Sequence, residues 1–273
     1  MIRDRVDAPL GVFDSGLGGL TVVRALREAL PHEHIVYLGD TARVPYGTRA
    51  EATVIRYAMA CAKHLVHRGV KAIVVACNTV SAVAPTTLRV ELDLPVLGVI
   101  EPGARAGVAA SRRGRIGVLA TAATIASGAY PRAVAAASTR AEVVGQAAPL
   151  LVPLAEEGWT VGEVPTLVVR RYLEPLVTAD VDVVILGCTH YPLLRATLDA
   201  EVSQLLGATT KVVDSAHAVA SEAKDFLGER GLARRTEDGG SIELLVTDMP
   251  KSFADVASRF LGHALPEVEV VDL

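Results

Sequence analysis

Short apolar runs alternate regularly with longer helical patterns along most of the 273 residues. The runs at 72–76 and 181–186 are rich in valine and isoleucine, and a helical pattern follows each of them. This alternation is typical of βαβ units around a parallel sheet. We therefore predict an α/β fold with mostly parallel sheets. The predicted strands are 10–13, 35–38, 72–76, 96–99, 116–120, 141–144, 181–186, 211–213 and 242–246.

The segments between these runs carry apolar residues at helical spacing. In the segment 49–68, for example, Ala58, Cys61 and Leu65 fall on one face of a helix. The predicted helices are 19–30, 49–68, 80–91, 160–177, 192–206, 216–227 and 251–261.

A break in the pattern is expected at Ile100-Glu101-Pro102-Gly103, where an apolar strand ends in turn residues. The two halves then repeat one arrangement of strand, cysteine and helix, with 188 − 77 = 111 residues between the cysteines, which is about one domain. We predict two pseudo-symmetric three-layer domains. Residues 1–100 with 211–273 form the first, which carries Cys77, and 101–210 form the second, which carries Cys188. The active site is expected in the cleft between them.

Two of the three cysteines occupy matching positions. Cys77 closes an apolar run and is followed by Asn-Thr, and Cys188 closes another and is followed by Thr-His. Because asparagine and threonine favour helix N-caps, both thiols are predicted at strand-to-helix turns. Ligands of open parallel sheets bind beyond the carboxyl ends of the strands, so this placement indicates chemistry. Cys61 lies inside a helical pattern and is predicted to be an inert core thiol.

Composition excludes several classes of protein. The net charge of −4 and the pI near 6.0 argue against a general nucleic-acid binder. The N-terminus lacks the apolar region of a signal peptide, and no apolar run approaches the roughly 20 residues of a membrane span, so we expect a cytoplasmic protein. Three cysteines far apart form no disulfide framework, and no Cys/His cluster has zinc-ligand spacing.

Polar residues follow other predicted strands of the first half. Asp14 and Ser15 open a glycine-rich turn that is either a capped tight turn or a site offering a carboxylate, a hydroxyl and backbone N–H groups to a small zwitterion. Tyr46 and Gly47 lie in a loop that is either an ordinary turn or a source of backbone donors for a carboxylate. Both alternatives stay open for each segment.

The second half offers three further candidates. Thr121 stands at a strand end and would, taken alone, be an N-cap. His190 is two residues from Cys188 at a strand terminus, which favours a functional histidine over a structural one. Glu156 would by itself be a solvated charge.

Two thiols at strand ends suit acid/base chemistry. One thiolate removes a proton from one face of a carbon acid, and an opposing thiol delivers a proton to the other face, which yields the mirror image. A redox dithiol would need the sulfurs at about 2.05 Å, and a cysteine hydrolase would leave the second thiol unexplained. The repeated layout favours the symmetric chemistry.

Five motifs occur in a fixed order along the chain: Phe13-Asp14-Ser15-Gly16-Leu17-Gly18-Gly19, Pro45-Tyr46-Gly47, Ala76-Cys77-Asn78-Thr79, Ala120-Thr121 and Gly187-Cys188-Thr189-His190-Tyr191-Pro192. With these motifs the chain resembles the glutamate racemases of the aspartate/glutamate racemase family over about residues 11–215. The resemblance implies a cofactor-independent enzyme that interconverts L- and D-glutamate. One departure is visible, because the family often has Cys-Pro where this chain has Ala148-Pro149.

The resemblance also assigns roles to individual residues. Cys77 and Cys188 are the acid/base thiols, Asp14 supports the first, and Glu156 supports the second together with His190. The residues implied to bind substrate are Asp14, Ser15, Tyr46, Gly47, Asn78, Thr79, Thr121, Thr189 and His190.

Further expectations follow from the resemblance. It implies D-glutamate supply for peptidoglycan, and thus a part in cell-wall biogenesis and cell shape, in a homodimeric protein. No metal is expected, and no pyridoxal phosphate, since none of the five lysines occupies a motif suited to a Schiff base. Certain family members restrain DNA gyrase, although nothing in this acidic chain identifies such a surface. The alternatives are a racemase of aspartate or another amino acid, and a non-catalytic ligand-binding or interaction protein.

Overall fold

The strands that the structure describes form two sheets in which every pair is parallel. The computed structural model of the chain describes residues 6–236, 238–249 and 253–273. The predicted α/β class with parallel sheets is confirmed. Within the described residues the strands are β1 (Leu10–Asp14), β2 (Ile35–Gly39), β3 (Ala72–Val75), β4 (Val96–Gly98), β5 (Arg115–Ala120), β6 (Glu142–Ala147), β7 (Val183–Gly187), β8 (Lys211–Asp214), β9 (Ile242–Val246) and β10 (Val268–Val270).

Helices connect the strands. Within the described residues no helix combines the length and the apolar character that a membrane span requires. Two short 3₁₀ turns, Tyr46–Thr48 and Tyr191–Leu194, also occur. The α-helices are α1 (Leu20–Ala29), α2 (Glu51–His67), α3 (Asn78–Ser81), α4 (Pro85–Glu91), α5 (Ile100–Ala110), α6 (Ala122–Ala126), α7 (Ala129–Ala137), α8 (Leu151–Glu156), α9 (Glu163–Thr178), α10 (Arg195–Leu206), α11 (Ser215–Glu229) and α12 (Phe253–Leu261).

The chain divides into two compact units, one of residues 1–99 with 216–273 and the other of residues 100–215. The sheet of the first unit has the strand order β10-β9-β2-β1-β3-β4, and that of the second has the order β6-β5-β7-β8. Four consecutive strands of the first sheet, β2-β1-β3-β4, thus repeat the order of the second. This match agrees with the repeat expected from the sequence, and the assignment of the units as domains stays a prediction.

The central strands are apolar along most of their length because both faces of each sheet are covered. Every residue of β1, β3 and β7 is buried. A strand buried on both faces carries a continuous apolar run, whereas a strand exposed on one face alternates apolar and polar residues. In the first unit α2 packs Val54, Ala58 and Leu65 into the core together with Cys61, as the helical spacing predicted.

Two boundaries differ from the sequence expectation. The segment Ile100-Glu101-Pro102-Gly103 begins α5 instead of a turn, and Pro102 is tolerated there because the first turn of a helix needs no N–H from it. The return to the first unit was expected at about Lys211. Because Lys211–Asp214 pairs with β7 as β8, the division falls after Ser215.

Several elements were not expected from the sequence. The predicted helix 80–91 is divided into α3 and α4, with Pro85 at the start of the second. The predicted helix 251–261 is observed from Phe253, and its first two residues lie outside the described residues. The remaining unexpected elements are α6, α7, α8 and β10.

A buried ion pair holds the amino-terminal ends of the strands in the first unit. Lys71 Nζ donates to Glu33 Oε2 at 2.5 Å, and the two side chains are only 1% and 2% exposed. Nζ also donates to Val6 O and Leu232 O, while Glu33 Oε1 accepts from Arg234 N at 2.7 Å. Both charges are therefore fully hydrogen-bonded, which a buried ion pair requires.

Removal of one partner should leave the other charge buried and unpaired. We expect Lys71→Met to lower the free energy of unfolding by about 3–5 kcal/mol, measured by urea denaturation. The control is Arg24→Met, which removes a half-exposed pair with Glu28 and should cost less than about 0.5 kcal/mol. A loss of less than about 1 kcal/mol for Lys71→Met would contradict the structural role of the pair.

Candidate active site

The first thiol lies where the strand order of its sheet reverses. From β1 the chain goes to β2 on one side and then crosses to β3 on the other. Ligands of open parallel sheets bind beyond the carboxyl ends of the strands at such a switch point. Asp14 ends β1, Cys77 follows β3, and the Ser15 hydroxyl lies 3.3 Å from the Cys77 sulfur.

Backbone geometry holds Cys77 in place. The residue has extended dihedral angles (φ −69°, ψ 122°) and precedes the short helix α3, where its carbonyl oxygen accepts from Ser81 N at 2.8 Å. The Ser81 hydroxyl donates to Val75 O at 2.9 Å and accepts from Val99 N at 3.2 Å, which joins the ends of β3 and β4. The buried residues Asn78 and Thr79 follow directly in α3.

The turn after β1 is held by its own carboxylate. Asp14 is buried, and its Oδ2 accepts from Gly19 N at 2.9 Å. A Cβ atom at Gly19 would lie 2.5 Å from the Asp14 Cβ, so only glycine fits. The Tyr37 hydroxyl donates to Gly16 O at 2.7 Å. Burial, and then the proximity of Asp14 and Cys77, raise the pKa of Tyr37 well above its ordinary value, so this donor keeps its proton.

The loop after β2 buries Tyr46, one of the predicted site residues. Tyr46 begins a 3₁₀ turn that also contains Gly47, and its ring is buried. The Tyr46 hydroxyl donates to the carboxylate of Asp40, a fully buried residue that follows β2. The sequence prediction named Tyr46 and Gly47 but not Asp40, although an acidic residue directly after a buried strand was a usable signal.

The second unit has the equivalent switch point between β5 and β7. Thr121 follows β5, and Cys188 follows β7. Thr121 Oγ1 caps α6 by accepting from Thr124 N at 3.3 Å, so the capping role considered for it is observed. Cys188 and Thr189 are both buried.

A chain of contacts links Cys188 to a carboxylate. The Cys188 sulfur lies 3.8 Å from His190 Nδ1, and His190 Nε2 lies 3.1 Å from Glu156 Oε1. Thr189 Oγ1 is 3.4 Å from the same Nδ1. The structure therefore brings Cys188 together with His190 and Glu156, the two residues that the resemblance assigns to its support, and Glu156 lies at the end of α8.

The charge of His190 follows from these neighbours. Burial alone would lower the pKa of the imidazole, but hydrogen bonds to Cys188 and Glu156 and the attraction of their negative charges raise it to about 10. The ring is thus an imidazolium at neutral pH. A positive charge next to the sulfur is an arrangement found at reactive cysteines.

The departure at Ala148-Pro149 leaves this site intact. The Tyr191 hydroxyl donates to Ala148 O at 2.8 Å and thereby joins the segment after Cys188 to the segment after β6. Because the acceptor is a backbone carbonyl, the bond does not depend on the side chain at position 148.

Cys61 differs from the other two cysteines. It is fully buried among apolar residues of the first unit. Burial, and then the nearby carboxylate of Asp40, raise the pKa of its thiol to about 12. At neutral pH Cys61 is therefore a protonated thiol in the core, as the sequence predicted.

Comparisons with known proteins agree with these features. Residues 18–223 match the family described as Asp/Glu/Hydantoin racemase. The chain is 48% identical to the glutamate racemase of Geobacter metallireducens over 264 residues, which cover 97% of this chain and 96% of the relative. It is also similar to the solved structure of glutamate racemase from Francisella tularensis in complex with D-glutamate, with a TM-score of 0.89, 35% identity and 98% of each chain covered.

A second solved structure, a glutamate racemase isoform from Bacillus anthracis, has a TM-score of 0.92 at 37% identity and covers 97% of this chain and 98% of its own. Both the family match and the curated relative extend over most of the chain. The chain belongs to the Asp/Glu/Hydantoin racemase family.

Proposed function

We propose that this protein interconverts L- and D-glutamate by a two-thiol acid/base mechanism that needs no cofactor. The observation that carries the proposal is the equivalent placement of Cys77 and Cys188, each at the switch point within the four-strand order that the two sheets share. The likeness to glutamate racemases, among them one in complex with D-glutamate, supports glutamate as the substrate.

In the proposed reaction the two thiols act on opposite faces of one α-carbon. The thiolate of one cysteine removes the α-proton, and the thiol of the other delivers a proton to the resulting carbanion from the opposite face. The reverse reaction exchanges these roles. Each sulfur has its own polar partners, Ser15 beside Cys77 and His190 beside Cys188, so the two groups can hold opposite protonation states.

Asp14 supports the first thiol in this proposal, and Glu156 supports the second through the imidazolium of His190. The substrate is held mostly by neutral side-chain donors and by backbone N–H groups at the starts of helices and turns, which favour carboxylates. The residues proposed to bind substrate are Asp14, Ser15, Tyr46, Gly47, Asn78, Thr79, Thr121, Thr189 and His190.

We further propose that the D-glutamate serves peptidoglycan synthesis, and thus cell-wall biogenesis and cell shape, in the cytoplasm.

The two compact units are proposed to be the domains of the enzyme, and the protein is proposed to form a homodimer. An interaction with DNA gyrase is proposed on family precedent alone. Light scattering at several concentrations measures the subunit state.

The proposed activity has a direct test. Purified protein incubated with L-glutamate, with no added cofactor, should lose the optical rotation of the substrate until a racemic mixture remains, whereas L-aspartate should keep its rotation. Circular dichroism follows both reactions. Loss of rotation with aspartate alone would indicate an aspartate racemase, and retention with both would favour a non-catalytic protein.

Each of the two thiols should be essential. We expect Cys77→Ser and Cys188→Ser each to lower kcat at least about 10³-fold, because a hydroxyl is a much weaker acid than a thiol and forms little of the base. Cys61→Ala is the control, and its kcat should stay within about threefold of wild type because that thiol is a protonated core group. More than a tenth of wild-type activity in either serine variant would contradict the two-thiol scheme.

The pH dependence should report the charge of His190. Its pKa is raised, so the imidazolium persists at neutral pH and is lost as the pH rises through about 10. Glu156→Gln removes one of the groups that raise this pKa. We therefore expect the pH at which kcat/KM falls on the alkaline side to decrease by about one unit or more. The exposed neighbour Glu157→Gln should leave the profile unchanged. An unmoved alkaline limb in Glu156→Gln would show that this carboxylate does not set the charge of His190.

A further inference from the structure

A buried carboxylate outside the predicted site residues organises the loop that carries Tyr46 and Gly47. Asp40 has no exposed surface, and three side chains donate hydrogen bonds to its oxygens. Arg43 Nε donates to Oδ1 and Oδ2 at 2.9 and 2.7 Å, Thr247 Oγ1 donates to Oδ1 at 2.9 Å, and the Tyr46 hydroxyl donates to Oδ2. A buried charge of this kind persists only when it is paired and hydrogen-bonded.

The backbone of Asp40 is fixed next to the turn that bears Ser15. Asp40 N donates to Asp14 O at 3.0 Å at the end of the β1–β2 pair. The preceding residue, Gly39, approaches so closely that a Cβ atom there would lie 2.4 Å from Gly16 O. Asp40 is therefore fixed at the carboxyl edge of the sheet, beside the turn that bears Ser15.

From this position the carboxylate contacts the loop 41–48 at several points. The Arg43 guanidinium stacks over the ring of Tyr57 at 4.5 Å, and the Tyr46 ring lies 5.4 Å from the same ring. Ala42 N donates to Thr247 Oγ1 at 2.9 Å, and that hydroxyl in turn donates to Asp40. Asp40 thus connects the loop to the residue that follows β9, and the Arg43 and Tyr46 side chains connect it to α2.

We propose that Asp40 is a positioning residue for glutamate binding, because its carboxylate holds the loop in the conformation that presents the backbone N–H groups of Tyr46 and Gly47 to a substrate carboxylate. This inference rests on the proposed function. Asp40 contacts no reacting atom in this account. Its contribution is to order the loop before the substrate arrives, so that binding does not incur the cost of ordering it.

The charge of Asp40 is essential to this role. An asparagine of the same shape would offer one acceptor oxygen and one NH₂ group to three donors. The NH₂ group would then face N–H or O–H donors, and the guanidinium of Arg43 would lose its counter-ion. The loop should therefore loosen although the size of the side chain is unchanged.

The test compares two buried carboxylates that flank β2. Asp40→Asn should raise the KM for glutamate roughly tenfold or more while kcat stays within about threefold. Glu33→Gln, at the opposite end of the same strand, should lower stability but leave KM unchanged. A positioning role raises KM with little change in kcat. A merely structural role would lower the urea midpoint and leave KM unchanged.

Two milder variants keep the inference testable if Asp40→Asn does not fold. Tyr46→Phe and Thr247→Val each remove one donor to the carboxylate and should each raise KM about threefold or more. If the wild-type protein racemises glutamate and the variants have an unchanged KM, the positioning role is wrong but the proposed function stands. Wild-type protein without activity on glutamate would overturn the proposed function and this inference with it.

Discussion

The strand pairing at the centre of each sheet is the constraint on which the rest of the site depends. Phe13 pairs with Val75 in the first sheet, so the chain leaves β1 and β3 at the same edge. Ala120 pairs with Gly187 in the second sheet, so the chain also leaves β5 and β7 at one edge. Backbone hydrogen bonds fix this register, and a slip of one residue would turn every side chain of a strand to the other face.

The two thiols share a position but differ in their surroundings. Cys77 lies beside a hydroxyl, in a turn held by the buried carboxylate of Asp14. Cys188 lies beside the imidazolium of His190, whose charge is balanced by Glu156. A protein that handles both enantiomers needs an acid on one face and a base on the other, and different neighbours provide a way to keep the two sulfurs in opposite states.

The sequence was sufficient to predict the α/β class, most strands and the placement of both thiols at strand ends, because β-branched apolar runs followed by capping residues are local signals. It was insufficient for α5 to α7, which lie in segments rich in alanine and glycine where apolar spacing is weak. The contact of Asp40 with Thr247 spans 207 positions and depends on the pairing of β2 with β9. No local pattern reports such a contact. The partner of β8 was missed for the same reason.

The central claim, that two different sulfurs serve the two faces of the α-carbon, is tested most directly by the distribution of deuterium early in the reaction. Protein is incubated with L-glutamate in heavy water, and the two enantiomers are separated after a few per cent conversion. If two sulfurs act, nearly all the D-glutamate carries deuterium at the α-carbon while the remaining L-glutamate keeps its hydrogen. D-glutamate that retains the original hydrogen, or L-glutamate that exchanges as fast as it racemises, would contradict it.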